Sequence, residues 1–358
     1  MTLFDEGSVF RSVNSPKPTG KRRWLTAGVI AGSLMACNLP VANAEIVFQE
    51  NFDSQPDWQP QSTDEECNGI KTKCRNDVPP NWSYYVSNES WHPNSGNYDP
   101  SIRISSDQKF GGSGKSFIKS NESSQPAGTA NYYTDGILFK KLDRSYNELY
   151  MSVNLKMQPG WKWGKDDAQM KVFRLMHFDG NGANPFKYFT DGASAPMYIF
   201  DLRHSNTYGW RHAHAPRCDP QKGNYYCTPN KKYNKNYRFV GSPTFEESLG
   251  DGQWHQLQVR VKMNSSPGAN NGIFEMWVDG VLQHSVKNIQ WRGNGSNADG
   301  WNAVALGGNH QNWFAPVGDK AEQWYAFDNV VVSTTPVDGP VETSPPTVPE
   351  DFDVKKKD

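Results

Sequence analysis

Between residues 254 and 263 hydrophobic and polar positions alternate strictly. Leu257, Val259, Val261 and Met263 fall on one face, and Gln256, Gln258, Arg260 and Lys262 on the other. A period of two marks a strand with one buried face. A polar turn follows, and residues 273–279 alternate again, with Phe274, Met276 and Val278 on one side and Glu275 and Trp277 on the other. Asp279-Gly280 then reads as a tight turn into Val281-Leu282,. The pattern predicts an antiparallel hairpin whose outward face carries two amides, two cations, a carboxylate and an indole. Two readings of that face stay open. It is the wet side of a sheet, or it is the floor of a groove where amides bond sugar hydroxyls, the indole stacks on a ring and the cations meet acidic groups.

Runs of the same kind recur along the chain. Residues 45–52, 101–105, 115–119, 132–142, 148–157, 169–178, 197–204, 285–291, 303–307 and 325–333 all read as short strands, and residues 55–100 as a long irregular stretch. There is no convincing amphipathic helix and no internal repeat. About a dozen short strands separated by turns fit an all-β sandwich of two antiparallel sheets, a jelly roll.

The ends look different. Lys21-Arg22-Arg23 precedes an apolar run, and Val41-Ala42-Asn43-Ala44 offers small residues before Glu45. This is the grammar of an export leader cleaved after Ala44. An alternative takes Leu34-Met35-Ala36-Cys37 as a lipoprotein box, which would tie the chain to a membrane through Cys37,. Past Thr334 the sequence turns Pro-, Glu- and Thr-rich and ends in three lysines, as disordered tails do,. The expected organisation is a leader at 1–44, one sandwich domain at 45–333 and a tail at 334–358, periplasmic or secreted. Export agrees with the cysteines. Cys67 and Cys74 lie in one polar loop and Cys218 and Cys227 in another, so two disulfides are predicted,. A zinc site is the weaker reading, since no Cys-x-x-Cys occurs. A net charge of −1 gives no reason to expect nucleic acid, whereas 13 tryptophans suit either a sugar ligand or an aromatic core.

The hairpin DGQWHQLQVRVKMN…NGIFEMWVDGVL resembles the central hairpin of concanavalin A-like jelly-roll polysaccharide lyases, of the alginate and glucuronan lyase type within the heparin lyase-like superfamily. FQENFDS from Phe48, GGSGKSFIKS from Gly111 and WYAFDNVVVSTTP from Trp324 agree with it. The resemblance covers about residues 45–336. It implies an exported lyase acting on a uronate-containing, acidic polysaccharide by β-elimination, with a lectin-like carbohydrate-binding domain as the alternative. It implies no organic cofactor. Related sandwiches hold a structural calcium ion where their terminal strands meet, and Glu50, Asp53 and Asp328 are the residues here that would supply it,.

Residue chemistry points the same way. A glycosidase needs two carboxylates about 5–9 Å apart, but Glu275 and Asp279, four residues along one strand, stand about 13 Å apart. No Glu-x-Asp-x-Glu array occurs. Elimination from a uronate instead needs cations or amides to neutralise the carboxylate, a base for the C5 proton and an acid for the leaving oxygen. The Arg-Thr-Glu-Leu and Gln-Ile-His strands of the best-known jelly-roll alginate lyases are absent, so candidates are chosen by residue type. For acid and base they are Lys171, His204, His212 and Tyr226; for substrate contact, Arg174, Arg203, Gln256, Gln258, Arg260, Lys262, Trp277, His310 and Trp313. Simple alternation puts Lys171 and His177 on one face and Arg174 on the other, unless a bulge intervenes.

Overall fold

The computed structural model of the protein describes residues 45–60, 77–87, 100–122, 135–164, 168–178, 196–204, 207–211, 236–293, 296, 298–312 and 322–337. The leader with Cys37, the four cysteines expected to pair, His212, Tyr226, Trp313 and the tail past Val337 lie outside the described residues.

Fifteen strands run in chain order among the described residues: β1 (Ile46–Glu50), β2 (Tyr84–Ser87), β3 (Ile102–Ser105), β4 (Ser116–Glu122), β5 (Gly136–Tyr146), β6 (Glu148–Met157), β7 (Gln169–Met176), β8 (Met197–Arg203), β9 (Thr207–Arg211), β10 (Asn236–Arg238), β11 (Trp254–Lys262), β12 (Gly272–Val278), β13 (Val281–Ile289), β14 (Trp301–Gly307) and β15 (Glu322–Ser333). They make two antiparallel sheets. One has eight strands in the order β13-β12-β11-β6-β15-β4-β3, with β1 also paired to β15; the other has seven in the order β10-β9-β8-β7-β14-β5-β2. This is the two-sheet sandwich that the alternation predicts.

The hairpin registers as its sequence suggests, Gln258 opposite Trp277 and Arg260 opposite Glu275. Leu257, Val259, Val261, Phe274 and Met276 turn inward and are fully buried. They meet Phe173, Tyr198, Phe200 and Leu306 of the other sheet in one core. The Tyr198 and Phe274 rings lie 4.8 Å apart across it. Burial of each such side chain contributes about 1.5–3 kcal/mol, so the alternating pattern fixes which face of every strand is inside. A polar tie crosses the same core: the Tyr325 hydroxyl of β15 donates to the Lys171 main-chain carbonyl of β7 at 3.0 Å.

Three strands escape the alternation rule. β2 falls inside the stretch read as irregular; its Tyr-Tyr-Val-Ser is buried on both faces, so no period of two shows,. The short β9 and β10 fall outside every run read as a strand. β13 begins at Val281, earlier than expected, and leaves Val281 and Leu282 about half exposed.

Candidate functional site

The candidate residues divide between the outward faces of the two sheets. On the seven-stranded sheet the deciding feature is an irregularity in β7. From Lys171 to Phe173 the strand takes two steps while its partner β8 takes one, from Asp201 to Phe200. The extra residue is a β-bulge, which re-aims the side chains beyond it. The bulge reverses the simple alternation. Met170, Phe173 and Leu175 join the inner core, Met176 joins a second apolar cluster that includes Ile199, Ala303 and Ala305, and Arg174 comes onto the face of Lys171. His177 leaves that face, its Nδ1 meeting the Gly300 carbonyl at 2.8 Å.

Gly308, just past β14, shows how close the two cations come. A Cβ placed there would stand 2.7 Å from Lys171 Cβ and 2.8 Å from the nearest Arg174 guanidinium nitrogen. Asn309 completes the arrangement. Its carbonyl accepts the Lys171 N–H at 3.1 Å, and its Oδ1 accepts from Lys171 Nζ at 2.7 Å. Arg174 donates to the Gly307 carbonyl at 3.0 Å. Asp201 lies directly opposite Lys171, and Arg203 approaches its carboxylate at 3.9 Å. Lys171, Arg174 and Asp201 are only 6%, 2% and 1% exposed. Charges held this dry cost several kcal/mol each to desolvate.

Sequence reasoning singled out Lys171, Arg174 and Arg203 but passed over Gly308 and Asn309. The signal was the pair Gly307-Gly308 after a strand, where φ of 83° and 155° exclude ordinary side chains,. Gly308→Ala is therefore expected to strain the backbone and push Lys171 or Arg174 aside, lowering the melting temperature and, about 100-fold, the rate of the reaction proposed below,. A steady-state comparison of the variant with the parent checks this.

Two histidines named as candidates sit elsewhere. His310 is fully buried beneath this face; its Nδ1 accepts the Asn312 N–H, and burial with the nearby Lys119 charge holds its pKa well below the usual imidazole range. It is a neutral core residue. His204 follows β8 and turns its ring toward Trp163, 6.2 Å away, at the edge of the core.

The eight-stranded sheet gathers the remaining candidates. A groove of ≈ 790 Å³ on its outward face is lined by Tyr150, Asn154, Trp254, Gln256, Gln258, Arg260, Glu275 and Trp277, among others. The cations of this face are engaged. Arg260 bonds Glu148 at 2.6 Å and Glu275 at 2.7 Å, and Lys262 bonds Glu148 at 2.9 Å. Burial opposes ionisation of both carboxylates, yet these donors hold Glu148 and Glu275 below the usual carboxylate range. Arg260 and Lys262 thus pair with the sheet's own carboxylates.

The expected calcium ligands also have other partners. Glu50 accepts the Phe52 N–H at 2.8 Å and Gln55 Nε2 at 2.6 Å. Asp328 accepts the Ser116 hydroxyl at 2.8 Å and the Asn329 N–H at 2.8 Å, and burial pushes its pKa up to about 7. Asp53 Oδ1 accepts the Lys115 N–H at 3.2 Å. Among the described residues no three acidic, histidine or cysteine side chains converge on a metal position.

Comparison with known proteins agrees with the resemblance read from the sequence. Residues 206–327, from the start of β9 into β15, match the polysaccharide lyase 14 family. No curated protein matches the chain in sequence. Among solved structures, the endo-β-1,4-glucuronan lyase of the fungus Trichoderma reesei is 14% identical, with a TM-score of 0.44 over 71% of this chain and 96% of that one. The marine alginate lyase of Aplysia kurodai is 11% identical, with a TM-score of 0.47 over 82% and 100%. The alginate lyase Aly36B is 13% identical, with a TM-score of 0.42 over 80% and 95%.

Proposed function

We propose that the protein is an exported polysaccharide lyase that cleaves a uronate-containing polymer by β-elimination on the outward face of the seven-stranded sheet. The observation that carries this reading is the β7 bulge, which sets Lys171 and Arg174 side by side with Asn309 bonded to the amine. The match of residues 206–327 to a polysaccharide lyase family supports the reaction class.

The chemistry follows from the residues. Arg174, with Arg203 toward the sheet end, supplies positive charge for the uronate carboxylate, which lowers the barrier to removing the C5 proton. Lys171 is the base. Asn309 fixes Nζ and the Tyr325 hydroxyl fixes the bulge carbonyl, so the amine needs no reorganisation to meet that proton. The C5–H electron pair becomes the C4–C5 double bond, the C4–O bond breaks, and the leaving oxygen takes a proton. Tyr226 and His212 are the candidates for that acid. Since only a neutral amine accepts a proton, the rate should climb from acid to alkaline pH.

The rival reading is a carbohydrate-binding domain without activity, and the groove over Trp277 favours it. One assay separates the two. The protein is incubated with alginate, glucuronan, ulvan and heparin, and the ultraviolet absorbance of unsaturated ends is followed. Growth of that absorbance on at least one polyuronate is expected. Binding without new double bonds on any of them would overturn the lyase reading.

A further inference from the structure

We propose that the groove on the eight-stranded sheet is a second, non-catalytic glycan site that takes a neutral, hydroxyl-rich chain. It lies on the face of the sandwich opposite Lys171, so it is not an extension of the lyase site. Three observations carry the inference.

The first is the aromatic lining. Trp254 and Trp277 are both partly exposed in the groove, and Trp254 is fixed by Phe110, whose ring lies edge-on at 5.8 Å, and by its Nε1–H on the Lys109 carbonyl at 3.1 Å. Rigid indoles offer stacking area at little entropic cost. The second is the row of amides. Asn154, Gln256 and Gln258 line the groove beside the indoles; Gln256 lies opposite Asn154 across the β11–β6 pair, and Gln258 lies opposite Trp277 across the hairpin. An amide carries both a donor and an acceptor, which is what paired sugar hydroxyls require.

The third is charge, and it decides the ligand class. Among the lining side chains one cation, Arg260, stands against two carboxylates, Glu275 and Asp279. Arg260 is held between Glu275 and Glu148, and Asp279 accepts from His255 at 2.7 Å. A polyuronate laid here would meet two carboxylates and a guanidinium already engaged; further cations nearby are Lys156, 6.0 Å over the Trp254 ring, and Lys287, itself 3.7 Å from Glu275. A neutral chain meets no such penalty. The lyase face, rich in cations, and this groove therefore select opposite kinds of polymer. Such a pair of sites would hold the enzyme on a neutral matrix polysaccharide while it cleaves the acidic one mixed with it.

The test is binding of neutral β-linked hexose oligomers to the full-length protein by titration calorimetry, with polyuronate oligomers in parallel. Neutral oligomers should bind, Trp277→Ala should weaken them about tenfold or more, Gln256→Ala should also weaken them, and Lys171→Met should leave them unchanged. Melting curves of each variant separate lost binding from lost fold, and the readout is independent of whether any polymer is cleaved. No binding of neutral oligomers would overturn the proposal. So would binding that survives Trp277→Ala, or binding lost in Lys171→Met. Pro336 and Val337 also line the groove, with the Val337 N–H on Gln258 Oε1 at 2.9 Å. Binding that appears only after the chain is cut beyond Val337 would give the groove to the chain's own end and equally overturn the proposal.

Discussion

Lys171→Met should abolish formation of unsaturated ends while the protein stays folded. A positioned general base contributes roughly 10²–10⁴-fold, and the loss should fall on kcat more than on KM, because the amine acts on the proton in flight and not on the bound carboxylate. Methionine keeps an apolar stem of similar length. The main-chain bonds that build the bulge, Lys171 N–H to the Asn309 carbonyl and the Tyr325 hydroxyl to the Lys171 carbonyl, do not involve the side chain. Melting temperature and circular dichroism should therefore hold steady. Arg174 is the contrasting position: its guanidinium would meet substrate charge, so its replacement should raise KM as well. A Lys171→Met enzyme that keeps the parent rate would move the base elsewhere.

A second large effect is expected from the interior. Lys119 of β4 is fully buried, its Nζ donating to the Ser120 carbonyl and, at 2.9 Å, to Asn121 Oδ1. Burial drives its pKa down to about 7, against the attraction of Asp135 and Glu322. The unfolded chain holds that proton up to about pH 10.4. Between about pH 7 and 10 the unfolded state thus binds more protons than the folded one, so stability rises with pH across that window, and the full cost is present below it. His310 beside it is held neutral and adds no opposing slope there. Lys119→Met should flatten the rise. At pH 6 it should relieve a cost on the order of 4 kcal/mol, offset by about 1–3 kcal/mol for leaving Asn121 Oδ1 and the Ser120 carbonyl without their donor. Urea unfolding of both proteins at several pH values checks the sign: a variant whose stability still climbs from pH 7 to pH 10 as steeply as the parent would remove Lys119 as the cause.

The hairpin shows what the sequence makes legible. Strict alternation in β11 and β12 leaves one register that buries Leu257, Val259, Phe274 and Met276 together, so pairing, inward face and outward face all follow from the pattern. At β7 alternation left the face open to a bulge, and the structure has one: a single extra residue reverses every later position. The bulge puts Arg174 where alternation put His177, and nothing within QMKVFRLM marks it. Its partners are tertiary: the Tyr325 hydroxyl of β15 and the Asn309 main chain just past β14 both bond residue 171. Imidazoles are hard to read for a related reason: His310 has the chemistry of a substrate contact, and only the fold shows that its ring is fully buried. The cations of the hairpin face were read correctly as outward, yet their partner Glu148 sits more than a hundred residues away in β6, beyond the reach of local pattern.

The sharpest measurement is a crystal structure of the Lys171→Met protein with a uronate oligosaccharide, an inactive complex that freezes the substrate in place. The account predicts the chain lying over β7 and β14, with one carboxylate on Arg174 and the C5 hydrogen of that ring facing residue 171. A uronate chain seated instead on Trp277 and Gln258, across the sandwich, would contradict it.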